Sequence, residues 1–440
     1  MERAFHARGD PERAAPHPSL SLSWSVWGVA ALFYLAGFYL RVSPAVMTTE
    51  LMRAFAITAG DLGNFSAVYF YTYVAMQIPT GVLVDSLGAR RLLTLGSLVA
   101  AIGMFLFGST SNFAVAGVGR ALVGGATAVG WVVTLKLATH WFPSHRFAMV
   151  SGLGLFMGNM GALVAQVPLR LAVEHFGWRG VSLASGAVVL GIAALATTFV
   201  KNDPREAGYE TYAPLELHAT KHISTWTLFK GFRHVFEYRN TWLIFLAQGG
   251  FVGSMIAFTG LWGPPYIRAR FGVPATTAAA VCSVMIVCWA VASPLCGHLS
   301  DRIKRRKPIY LSGAIVAASG WAILFLAPLP LAAFVPVAAV TSFACGAVII
   351  GFAYAKESVP VHFLGTISGA INVGNMTGPM ILQPAIGRVL DLRWSGEMTN
   401  GLRVYSAGAF QSGFLLIVGW AVLTAFLIAL TRETYCRQGG

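Results

Sequence analysis

What most constrains this chain is a series of apolar stretches, each long enough to cross a bilayer, spread over 440 residues with short polar loops between them. Twelve of them fall at about 24–47, 61–83, 91–109, 113–137, 147–169, 179–199, 240–263, 275–297, 308–327, 331–354, 363–385 and 408–430. Lipid offers the backbone no hydrogen-bond partners, so stretches of this length fold as helices. The expected class is an all-α polytopic membrane protein. Only 11% of residues are charged, against roughly 25% in a soluble domain. The formal charge of +14 does not call for nucleic acid, because the basic residues are divided among the loops and form no single patch.

With the first residue inside the cell, the inner segments hold Arg90, Arg91, Lys136, Arg146, Lys201, Arg205, Arg302, Lys304, Arg305, Arg306, Lys307 and Lys356. The outer segments hold fewer cations, among them Arg41, Arg170, Arg268 and Arg388. That bias predicts both termini in the cytoplasm and a multi-pass protein of the cell inner membrane. Residues 1–20 read as a disordered cytoplasmic tail, and the run at 24–47 is too long for a signal peptide and lacks a cleavage pattern. The remaining expectations are six-helix units at 21–200 and 240–431, a central cytoplasmic loop at 201–239 and a tail at 432–440.

The loop between the second and third stretches carries Gly81, Asp85, Gly88, Arg90 and Arg91. Gly88 permits a sharp turn, and Asp85, at the end of an apolar helix, is expected to pair with an arginine or a helix N-terminus. A weaker copy follows 216 residues later as Gly297, Asp301, Arg306 and Lys307, with Lys304 replacing the second glycine and predicting a looser turn. A second locus repeats at the same shift: Gly158, Asn159, Met160 and Pro168 return as Gly374, Asn375, Met376 and Pro384. Two loci with one offset indicate a duplicated half.

This loop resembles the one between helices 2 and 3 of the major facilitator superfamily, although Ser86 stands where that family often has a basic residue. The resemblance implies twelve transmembrane helices in two pseudo-symmetric six-helix bundles. It also implies secondary transport by alternating access, with helices 1, 4, 7 and 10 lining a site near the midplane. In that scheme Asp85, Arg90, Arg91, Asp301 and Arg306 are gating residues. The stretch from Arg120 and Gly124 through Lys136 to Trp141 and Pro143 resembles the fourth helix of organic-anion and organophosphate transporters. Those often place a glutamate where this chain has Thr127. The run from Phe38 to Met47 is similar to the first helix of transporters that supply intracellular pathogens with amino acids or nucleosides. An aspartate that the anion group often carries is Leu40 here.

Arg120 lies about 12 Å inside the fourth stretch, too deep for a side chain that reaches the surface. Two readings are open: a substrate ligand, or a packing residue bonded to backbone carbonyls. Arg41 shares a stripe with Tyr34 and Phe38 and is either a ligand or an interfacial arginine reaching outward. No Asp or Glu lies in the middle of any stretch. Buried arginine without a counter-charge is costly, and an anionic substrate would resolve it through bidentate hydrogen bonds. The candidate substrate residues are Arg41, Arg120, Tyr34, Phe38, Thr127, Trp131, Trp262, Asn159 and Asn375. For the two asparagines, helix packing is the competing reading.

No metal-binding spacing, P-loop or hydrolase motif occurs, so neither an enzyme nor a cofactor is expected. The expected partners are a small carboxylate-bearing metabolite and the bilayer, for a monomer. Alternative readings are proton-coupled efflux of drugs or siderophores, and a transporter-like receptor that no longer cycles.

Overall fold

The computed structural model describes residues 16–213 and 233–438. Residues 214–232 of the expected central loop therefore lie outside the described residues, as does most of the expected N-terminal tail. Ten segments among the described residues are long and apolar enough to span a membrane: Leu20–Val46, Pro79–Ser109, Phe113–Trp141, Ser144–Val164, Val167–Phe199, Arg239–Phe271, Ala275–Ile303, Lys307–Leu326, Leu331–Glu357 and Ala407–Ala429. Two further helical stretches, 59–78 and Leu364–Leu392, complete the twelve spans. Both carry asparagine, serine, threonine and glutamine, and Leu364–Leu392 also carries Pro379 and Pro384. They pack on each other and join the first six spans to the last six.

Local chemistry sets the ends of the spans. Span 1 (Leu20–Val42) starts at Ser19, whose hydroxyl accepts from the Leu22 amide, and span 4 starts at Asn112, which accepts from Ala114 and Val115. Spans 2 and 3 form one run, Ala59–Ser109, turned by a single residue, Gly88, at φ 81°. Gly177 at φ 70° likewise joins spans 5 and 6. Span 5 therefore extends to the Gly177 turn, beyond the end expected at 169. Its helix breaks at Gln166 and restarts with Pro168 in the first turn, where proline's missing N–H costs nothing. In the second half Lys304 holds φ 54°, and the next helix starts only at Lys307, the looser turn its sequence implied.

The end carrying Gly88 and Lys304 is here the basic face, and the other is the distal face. Each half ties its helix ends together at the basic face in the same way. Asn202, just past span 6, accepts from the Arg90 amide at 2.9 Å. Glu433, just past span 12, accepts from the Arg306 and Lys307 amides at 2.9 and 3.0 Å. The halves meet at the distal face. A Cβ on Gly63 would lie 2.5 Å from the Gln383 carbonyl oxygen, and one on Gly387 would lie 2.4 Å from that of Ala59. Among the described residues, the hydrogen bonds joining the halves link Ala59 to Tyr405, Gly60 to Asp391 and Gln166 to Thr259.

Candidate substrate site and gates

Six of the nine candidate residues converge on one cluster in the first half. Tyr34 packs on Phe38 at 5.0 Å and on Trp131 at 5.2 Å between ring centroids. The Arg41 guanidinium lies over the Phe38 ring at 4.4 Å and the Tyr73 ring at 4.9 Å. Its Nε donates to the Tyr69 hydroxyl at 3.4 Å, and that hydroxyl lies 2.7 Å from Thr127 Oγ1. The two terminal nitrogens of Arg41 bond to no described residue, and the residue is only 5% exposed. A close approach of helices makes this arrangement possible: a Cβ on Gly124 would sit 2.2 Å from the Tyr69 carbonyl oxygen.

Arg120 bonds to backbone carbonyls, as the packing reading expects. Its Nη1 donates to Leu40 O at 2.6 Å and its Nη2 to Arg41 O at 2.7 Å, the carbonyls that end span 1. Both terminal nitrogens are thereby committed to the backbone, and the guanidinium stacks over Tyr69 at 4.8 Å. Arg120 fixes the turn of chain that presents Arg41, because cations favour the C-terminal end of a helix. Tyr69 and Tyr73 were missed in the sequence. Their signal was the four-residue spacing of Phe65, Tyr69 and Tyr73, which puts all three on one face of span 2.

Three candidates lie outside the cluster. Trp262 ends a π-helical turn, Phe258–Trp262, in span 7. It is 2% exposed and its indole N–H donates to Gln383 O at 3.0 Å, so it packs within the second half. Asn159 bonds to Leu155 O in its own helix at 3.1 Å. Asn375 is buried, and its Oδ1 has no hydrogen-bond partner among the described residues.

At the basic face Asp85 pairs with Lys136 at 2.9 Å, a lysine of span 4 in place of the expected arginine or helix N-terminus. Lys136 also donates to Val84 O at 2.8 Å, which ties the end of span 2 to span 4. Arg90 reaches Thr197 O, and Arg91 is exposed. In the second half Arg306 bonds to both Asp301 and Glu357, the latter at 2.7 Å. Burial works against the Arg306 charge, but these two carboxylates outweigh it and raise its pKa above the ordinary value. All of these pairs stay within one half.

The sequence profile of the Major Facilitator Superfamily matches residues 26–384 and 291–434. The chain belongs to the Major Facilitator Superfamily. Its relatives within the superfamily include the "Probable sulfoacetate transporter SauU" of Cupriavidus necator, 24% identical over 409 residues, which are 89% of this chain and 93% of that protein. Another, from Agrobacterium vitis and named for tartrate transport, is 24% identical over 428 residues, 90% of this chain and 88% of that protein. Among solved structures, a bacterial homologue of the human lysosomal transporter Spinster superposes with a TM-score of 0.74 at 18% identity, covering 94% of this chain and 97% of that one. The nucleoside transporter NupG superposes with a TM-score of 0.70 at 13% identity, covering 93% and 98%. The protein is a transporter of the superfamily and not an enzyme, and the two relatives above are named for small organic anions.

Proposed function

We propose that this transporter moves a small carboxylate-bearing metabolite, an organic anion or an amino-acid-like zwitterion, across the cell inner membrane by alternating access. In this reading it acts as a monomer with the basic face and both termini in the cytoplasm. The observation that carries the proposal is the free fork of Arg41. Among the described residues its terminal nitrogens have no partner, and aromatic rings hold its plane. Arg41 and Arg120 place two positive charges in spans that carry no carboxylate in their middle, which favours an anionic guest. Arginine's parallel donors match a carboxylate or sulfonate bidentately. The relatives named for sulfoacetate and tartrate support the same substrate class.

A thermal-shift series on the purified protein tests the proposal, with sulfoacetate, tartrate, lactate, alanine and a cationic dye as ligands. A ligand at about 100 times its Kd adds roughly 2.7 kcal/mol of stability. The expected result is stabilisation by one or more of the carboxylate-bearing compounds and loss of it in Arg41→Gln. Stabilisation by the dye alone would favour efflux, and stabilisation unchanged in Arg41→Gln would remove Arg41 from the site.

A further inference from the structure

The first turn of span 2 is capped from two sides. Within its own half, Thr58 and Asp61 form a capping box: the Asp61 carboxylate accepts from the Thr58 amide at 3.1 Å, and the Thr58 hydroxyl accepts from the Asp61 amide at 3.3 Å. The amides of Ala59 and Gly60 are left over, since the first turn of a helix has no internal acceptors. The other half supplies the acceptors. Ala59 N donates to the Tyr405 hydroxyl at 3.0 Å and Gly60 N to Asp391 Oδ2 at 2.8 Å. Tyr405 in turn donates to Asp391 Oδ1 at 2.6 Å, so the two act as one unit. Arg403 lies 3.5 Å from the same oxygen, and Arg388 packs beside Gly60.

We propose that Asp391 and Tyr405 form a latch that holds the distal gate closed by seating a carboxylate and a phenol on the N-terminus of span 2. A carboxylate there gains from the helix dipole as well as from the hydrogen bond. Burial, with the Asp391 carboxylate beside it, raises the Tyr405 pKa above its ordinary value, so the phenol keeps the proton it donates. Glycines bring the two surfaces together, because side chains at Gly63 or Gly387 would collide with backbone of the opposite half. Opening this face strips both amides of their partners at once. The latch thus acts on the balance between the two faces, whatever the substrate.

Spin labels at Phe176→Cys and Met398→Cys, in full-length protein whose five native cysteines are replaced, report the separation of the halves at the distal face. Asp391→Asn and Tyr405→Phe are each expected to raise the long-distance population about tenfold, the scale of one hydrogen bond to a charged group. The double variant should add little to either single one, since both remove the same unit. Gly387→Val, which blocks closure by bulk, should move the distances the same way and serves as the positive control. Distances that shift in Gly387→Val but stay at parent values in Asp391→Asn and Tyr405→Phe would overturn the proposal. So would fully additive shifts in the double variant.

Discussion

At the residue scale the account rests on Arg41 and on what keeps it in place. Removing one charge-assisted bond from a buried site costs on the order of 1.5–3 kcal/mol, so Arg41→Gln should weaken substrate binding roughly ten- to a hundredfold. Tyr69→Phe keeps the ring under Arg120 but removes the hydroxyl shared by Arg41 and Thr127. It should weaken binding by about fivefold, consistent with a net hydrogen bond of about 1 kcal/mol. Equal affinities of Tyr69→Phe and parent by isothermal titration would show that the hydroxyl does not hold Arg41. The sequence revealed the charge imbalance, because intramembrane arginines without carboxylates can be counted. It could not separate the two arginines: the hydrogen bonds of Arg120 depend on where span 1 ends, which is a property of two helices packed together.

At the element scale the turns were legible and the partners were not. Gly88 makes its turn at φ 81°, and Lys304 takes the left-handed conformation in a looser turn, as its replacement of the second glycine implied. The partner of Asp85 was not legible, since Lys136 is 51 residues away and reaches it only through the packing of spans 2 and 4. We expect Asp85 and Asp301 to regroup across the halves when the basic face closes, so Asp85→Asn should slow transport while leaving binding intact. Unchanged initial uptake rates in that variant would end this expectation. Beyond span 6, burial would raise the pKa of Asp203, but Arg205 and His140 outweigh it and hold the carboxyl well below the usual range. A lowered pKa stabilises the fold above the unfolded value, about pH 4, and the gain is lost as pH falls through the folded value. Melting curves should therefore show Asp203→Asn less stable than parent at pH 7, with the gap narrowing in acid. A gap independent of pH would contradict that assignment.

At the scale of the whole molecule, the class was readable from the chain, as was the division of the cations among its loops. The closed distal face was not, because it depends on glycines 60, 63 and 387 facing partners more than 300 residues away. Energetics limits what the cycle can do. An inside-negative potential opposes inward movement of each negative charge by about 2.3 kcal/mol per 100 mV, a roughly fiftyfold gradient in the wrong direction. Thr127 and Leu40 occupy the places where a proton-carrying carboxylate is usual in similar transporters. We therefore expect a zwitterionic substrate or exchange of one anion for another, in preference to proton symport. Counterflow in proteoliposomes tests this most directly, with labelled substrate outside, unlabelled substrate inside, and no potential. The account predicts uptake accelerated by internal substrate, indifferent to an inward proton gradient and lost in Arg41→Gln. Uptake that ignores internal substrate, rises with the proton gradient and survives in Arg41→Gln would contradict it.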